Sequence, residues 1–459
     1  MKKTIFSVVL LLSLMACSKV TPVEYALFSG KIENLEAKVI TLEKADQSFK
    51  KEITIESNGA FSDTIQASSG VYQLTVGKHR VNVYLENENV INLSADAKDF
   101  NGSLAFSGKG AETTNYITFK NKKTAELRGD NKSFYTLEEA EFKKKLNDIS
   151  TILNTVIDTT KGIDPEFKAL EKRNINYTYL LQLSQYASGK HRYWTKNNDY
   201  KPSEDFLSEL DDLDINNEKD FELSNAYKQL VTGYYVKEIS ALAKKDSIEF
   251  MYAKVKVHAA IPNESIKNAL IFSGAEYGIT KIENVEDYYK TFMNASTNEE
   301  NNAKLTATYN KLIGLNKGKP SPKFVNYQNH AGGTLSLDEL KGKYTYIDIW
   351  ATWCAPCLAE VPYLKKLEKT YHGKNINFLS VSIDVPKDVE KWKQMIVDKE
   401  LGGIQVITDK GPTAEFIRDY FVSTIPRFIL IDPQGAVVDK DAPRPSSPEL
   451  IELFNTLNI

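Results

Sequence analysis

Tyr346-Ile347-Asp348-Ile349-Trp350-Ala351-Thr352-Trp353-Cys354-Ala355-Pro356-Cys357-Leu358-Ala359-Glu360-Val361-Pro362 begins as an apolar, β-prone run and ends in a helical pattern. Two cysteines stand at the change-over, three positions apart. On the first turn of a helix that spacing lets two sulfurs approach closely enough to bond. A cysteine there also meets the positive end of the helix dipole and unpaired amide groups, and both favour the reactive thiolate. Pro356 suits the same turn, where a missing N–H removes no hydrogen bond. The stretch reads as a redox-active dithiol on a strand-to-helix junction.

Two other readings of a C-x-x-C pair fit less well. A structural zinc needs four ligands, commonly a second Cys or His pair at similar spacing. The third cysteine is Cys17, near the N-terminus, and the histidines (His79, His191, His258, His330, His372) are scattered. No metal site is expected. A purely structural disulfide usually closes a longer loop than this one.

The stretch resembles the thioredoxin superfamily, and within it the TlpA/ResA-like branch of membrane-tethered periplasmic thiol-disulfide oxidoreductases. Trp353 to Cys357 matches the W-C-x-x-C core. Asp348 matches the buried acid on the preceding strand, and Pro362 the proline that kinks the active-site helix. Glu360 matches an active-site glutamate of the ResA-like branch. Thr424-Ile425-Pro426 looks like the cis-proline loop, and Phe428 to Gly435 like the strand and turn that follow it. The likeness covers about residues 318–459.

The resemblance implies roles. Cys354 would attack a substrate disulfide, and Cys357 would resolve the mixed disulfide. Asp348 lies on an apolar strand, where burial should raise its pKa and let it take the Cys357 proton near neutral pH. Glu360, about one turn beyond Cys357, is the other candidate acceptor. Trp353 should shape access to Cys354. If Pro426 is cis, the peptide groups of Ile425 would be free to pair with an extended substrate strand. Arg427 stands where many thioredoxins have threonine. The implied partners are protein disulfides and a membrane electron donor, with no cofactor beyond the dithiol.

The 459 residues exceed one ordinary domain and suggest three. The net charge of −3 is small, and no block of basic residues argues for nucleic acid. Lys2 and Lys3 precede an apolar run from Ile5 to Met15, too short to span a bilayer. It ends Leu14-Met15-Ala16-Cys17, which resembles the lipobox of bacterial lipoproteins, so residues 1–17 read as a signal with lipidation at Cys17. Ser18 and Lys19 follow, without an acidic cluster. By resemblance to lipoprotein sorting signals, the protein is expected to face the periplasm, on the outer membrane in preference to the inner.

Residues 24–106 alternate with period two, as in Val71–Val76 and Val81–Leu85, between short turn signals. A small β-sandwich is expected, loosely similar to a domain of unknown function found in such lipoproteins. Residues 111–315 read as an all-α domain of about eight helices. Thr136-Leu137-Glu138-Glu139 looks like a capping box, and Asp164-Pro165 like an N-cap and first turn. Amphipathic stretches follow near 203–213, 220–243, 263–273, 284–293 and 300–313. Tyr177, Tyr179, Tyr186, Tyr234 and Tyr235 either pack these helices or line a groove. After a linker at 317–322, residues 318–459 alternate strands and helices, an α/β pattern.

Two rival functions stand beside the oxidoreductase. A thiol peroxidase would share the insertion of this branch but keeps a single peroxidatic cysteine, which the Trp-Cys-x-x-Cys core argues against. A periplasmic binding lipoprotein would use its first two domains and carry the dithiol as a vestige.

Overall fold

The computed structural model describes residues 23–44, 49–66 and 68–459, so the signal-like segment and Cys17 lie outside the described residues. The chain divides into two units between Tyr234 and Tyr235. The helices expected over 111–315 are therefore shared between them.

The first unit opens with eight strands: β1 (Ala26–Glu33), β2 (Val39–Glu43), β3 (Lys50–Thr54), β4 (Ala60–Ile65), β5 (Gly70–Val76), β6 (His79–Leu85), β7 (Val90–Asp96) and β8 (Ala105–Ser107). They form two four-stranded sheets, β4-β1-β7-β8 and β3-β2-β5-β6. The period-two pattern has a simple cause. In β7, Ile91, Leu93 and Ala95 are buried while their neighbours face outward. Residues of both sheets, among them Phe28, Leu93, Tyr72 and Leu74, enter one buried apolar cluster.

Helices Ala111–Arg128, Glu139–Thr159 and Pro165–Gln185 follow. Asp164 caps the last of these, accepting from the amides of Glu166 (2.8 Å) and Phe167 (3.0 Å), with Pro165 in the first turn. The expected capping box is not formed. Thr136 ends the preceding short helix instead, its hydroxyl donating back to the Lys132 carbonyl at 2.9 Å. Glu139 turns its carboxylate to Tyr200 and Ser203. Residues 203–213 hold only a short 3-10 turn, Ser208–Leu210. Small polar side chains there bond the local backbone, as Ser208 does to the Asp205 carbonyl, and compete with a helix. Tyr177, Tyr179, Tyr186 and Tyr235 are buried, so they pack the helices; Tyr234 is exposed.

The second unit contains helices Phe250–Ala259, Glu264–Phe272, Val285–Ala295 and Glu299–Ile313 around one apolar cluster. Its seven-stranded sheet comprises β9 (Tyr327–Asn329), β10 (Thr334–Leu335), β11 (Tyr344–Trp350), β12 (Ile376–Ser382), β13 (Ile404–Ile407), β14 (Arg427–Ile431) and β15 (Val437–Asp439). The order is β10-β9-β13-β12-β11-β14-β15. β9 and β10 pair antiparallel around Gly332 and Gly333, which both adopt positive φ. β11, β12 and β13 run parallel, and β14 runs antiparallel to β11. Helices Ala355–Thr370, Val389–Asp398, Glu415–Asp419 and Pro448–Thr456 connect and flank the strands. Among the described residues no helix is long and apolar enough to cross a membrane.

The helical cluster and the sheet domain join at the segment before Pro426. Phe421 packs against the helical cluster and also against the core beneath the sheet. Lys281 donates to the Ser423 hydroxyl at 2.7 Å, and Lys311 lies 3.7 Å from the Asp419 carboxylate.

β11 is the hub of this unit, and its Ile347 is fully buried. Ile347→Ala should lower the stability of the unit by about 2–5 kcal/mol, because the close-packed surroundings can only partly fill the cavity. Denaturant unfolding followed by tryptophan fluorescence measures it; a loss under about 1 kcal/mol would contradict the packing described.

Candidate active site

β11 delivers the site. It is flanked by β12 on one side and β14 on the other, so its sequence is almost continuously apolar. Asp348 interrupts that run, opposite Ser380 of β12 and Phe428 of β14. The chain then turns through Ala351 and Thr352 into the helix Ala355–Thr370. Cys354 is its N-cap, and its sulfur accepts from the Cys357 amide at 3.2 Å. Cys354 and Cys357 form a disulfide. Both are nearly buried, whereas the adjacent Trp353 is 59% exposed. The Ile425–Pro426 peptide is cis, and Ile425 packs against the cluster that contains both cysteines.

Behind Cys357 lies a narrow cleft. Asp348, Glu368, Ser380, Gly402 and Gln405 line it together with Cys357. Burial pushes the Asp348 carboxyl up to about 7; the Ser380 hydroxyl, 3.5 Å away, opposes this, and the charges of Glu360 and Glu368 add to it. Burial also pushes Glu368 up to about 7, with Lys365 opposing. Near neutral pH these carboxyls exchange protons readily, and one sits behind the dithiol on each wall of the cleft.

The Redoxin family model matches residues 316–453. A ResA thiol-disulfide oxidoreductase of Bacillus cereus is 33% identical over 123 residues, which is 27% of this chain and 68% of that protein. The thioredoxin-like protein YneN of Bacillus subtilis is 32% identical over 137 residues, 29% of this chain and 77% of that protein. A solved thiol-disulfide oxidoreductase from Bacteroides fragilis is 30% identical, covering 29% of this chain and 99% of its own, with a TM-score of 0.27. The chain belongs to the thioredoxin-like, ResA-type thiol-disulfide oxidoreductases.

In this oxidoreductase the site residues read from the sequence fall into two groups. Cys354, Cys357, Trp353, Asp348 and Ile425 gather around the dithiol. Glu360 does not reach the cleft. It is nearly buried on the same helix, but its carboxylate accepts from the amide (3.0 Å) and hydroxyl (2.9 Å) of Ser446 and lies 3.9 Å from Arg444. Arg427 turns away to Asp441 at 3.3 Å.

Sequence reasoning missed two residues. Asp384, fully buried after β12, accepts from the amide (2.9 Å) and hydroxyl (2.8 Å) of Thr352, and from Ser382 at 2.7 Å. It fixes the turn two residues before Cys354. Nothing local in Ser382-Ile383-Asp384 names the distant Thr352 as its partner. Glu368 was legible: Cys357, Val361, Leu364 and Glu368 recur at helical spacing, so an acid ends an otherwise apolar stripe.

The raised Asp348 pKa links to stability with a definite sign. Folded, Asp348 keeps its proton up to about pH 7; unfolded, it loses it near about 3.9. Its contribution is complete below about pH 4, declines as pH rises to about 7, and is level above. Asp348→Asn should therefore be more stable than wild type at pH 8, by up to about 4 kcal/mol, and near parity at pH 4. Urea denaturation at both pH values measures it; an advantage independent of pH would contradict the buried acid.

Proposed function

We propose that this oxidoreductase is a lipid-anchored, periplasm-facing reductase of protein disulfides. The reading rests on one observation: a dithiol at a helix start, with the acid Asp348 lining the cleft behind its second cysteine.

In the reduced enzyme the Cys354 thiolate attacks a substrate disulfide. One substrate sulfur leaves as thiolate, and the other stays bound to Cys354. Asp348 takes the Cys357 proton, and the Cys357 thiolate attacks the Cys354 sulfur. The Cys354–Cys357 bond forms, the mixed disulfide breaks, and the second substrate thiolate departs. Exposed Trp353 and the backbone of Ile425 meet the substrate chain.

The direction follows from charge. Ala355 and Pro356, between the cysteines, offer no charge and no side-chain donor. Asp348, Glu360 and Glu368 place negative potential near the dithiol, which disfavours thiolate. A reduced form without thiolate stabilisation gives up electrons readily, so the site suits reduction. A periplasmic reductase needs re-reduction, and a dithiol donor in the membrane fits a chain anchored through Cys17. Residues 24–106, a small sandwich by our reading, and the helices after them lie in sequence between Cys17 and the dithiol and supply either a spacer or a binding module.

Cys354→Ser in the full-length protein should reduce insulin disulfides at least a hundredfold more slowly than wild type. Cys357→Ser should accumulate covalent enzyme–substrate adducts on Cys354, detected by non-reducing gels and mass spectrometry. Full activity of Cys354→Ser would end the dithiol reading. Cys17→Ala should leave the membrane fraction or remain unprocessed; a processed Cys17→Ala protein that still sediments with membranes would contradict the lipid anchor.

A further inference from the structure

We propose that Glu368 is a positioning residue for the resolving step, forming with Asp348 one acid pair that takes up the Cys357 proton. The proposal rests on the dithiol reading above and deepens it.

The geometry comes first. Glu368 lies three helical turns beyond Cys357 on the same face, and both line the cleft that Asp348 closes from β11. The segment before β13 makes room for its carboxylate. A Cβ at Gly402 would collide with Glu368 Oε2, and one at Gly403 would lie 2.9 Å from Oε1. Gly402 and Gly403 thus bring bare backbone up to the Glu368 carboxylate.

The opposite wall adds an independent observation. Gln405 is buried, and its Oε1 has no hydrogen-bond partner. Its orientation is set, because Nε2 donates to the Gly402 carbonyl at 2.7 Å. An orphaned acceptor in this cleft calls for an O–H or S–H donor. The carboxyls of the pair, when protonated, are O–H donors that line the same cleft.

Lys365, one turn before Glu368, also lines the cleft and its charge partly opposes the effect of burial on Glu368, while its Nζ lies 3.5 Å from the exposed Glu400 carboxylate. Glu360 also raises Asp348 through its charge, but its carboxylate is engaged by Ser446 and lies near Arg444. β12 and β13 contribute the uncharged Ser380 and Gln405 to the cleft. Two carboxyls in one poorly solvated cleft do not ionise independently; the charge of one holds the proton on the other. When Cys357 gives up its proton, the pair gains it; when the substrate thiolate leaves, the pair can return it. Glu368 therefore acts through Asp348, setting the pH at which Asp348 serves as acceptor.

The test follows the mixed disulfide of full-length reduced protein with oxidised glutathione, by acid quench and mass spectrometry from pH 5 to 9. Formation of the adduct on Cys354 reports the first attack, and its decay reports resolution by Cys357. In Glu368→Gln the midpoint of the decay profile should move down by about half to one pH unit, because Asp348 loses a negative neighbour, while adduct formation is unchanged. Asp348→Asn should lose the neutral limb, and adding Glu368→Gln to it should change the profile no further. A Glu368→Gln profile superimposable on wild type would overturn the proposal. As a check that needs no variant, selective 13C labelling of glutamate carboxyls should show Glu368 titrating near pH 7; titration near 4.5 would overturn it. Failure of the dithiol reading is distinct: wild type would then form no adduct on Cys354 at all, and the proposal would fall with it.

Discussion

A carboxyl group set into an apolar central strand is the constraint around which the catalytic unit is arranged. A charge buried without a partner is strongly unfavourable, so the group must stay neutral or find relief. Asp348 has one weak relief, the Ser380 hydroxyl, and one outlet, the cleft shared with Cys357. Its position follows from the strand: β11 lies between β12 and β14, and six residues beyond Asp348 comes the N-cap of the active-site helix. The same strand therefore places the acid behind the dithiol and supplies the dithiol at the helix start.

The surrounding elements hold the two ends of this arrangement. Asp384 ties down Thr352 on the entry side, using a buried carboxylate as a triple acceptor. On the Pro426 side, the helices of residues 250–313 clasp the preceding segment through Phe421, Lys281 and Lys311. Those two lysine contacts are exposed and contribute little by themselves. Phe421 packs against both apolar clusters and adds apolar contact to the attachment. The helical segment is thus part of the catalytic unit's architecture, although it supplies no reacting group.

Much of this was legible in the chain. The strand-to-helix stretch, the apolar runs of β12 and β13, the Gly332-Gly333 hairpin and the Asp164-Pro165 cap are each decided by neighbours within a few residues. What escaped depends on partners distant in sequence. The Thr136 hydroxyl looked like a helix cap, but the short helix capped by Asp130 claims it first. Glu360 looked like a proton acceptor by family likeness, yet Ser446 and Arg444, brought near by the chain's end, engage its carboxylate. Glu368 broke an apolar stripe in plain view; its meaning needed the cleft.

The balance between thiolate stabilisation and nearby acidic charge decides whether the enzyme reduces or oxidises, and the reduction potential reads that balance directly. Equilibration of the full-length protein with glutathione redox buffers, with the Cys354–Cys357 state scored by alkylation and mass, gives the value. The account predicts a potential nearer thioredoxin's, about −270 mV, than DsbA's, about −120 mV. A potential above about −180 mV would contradict it.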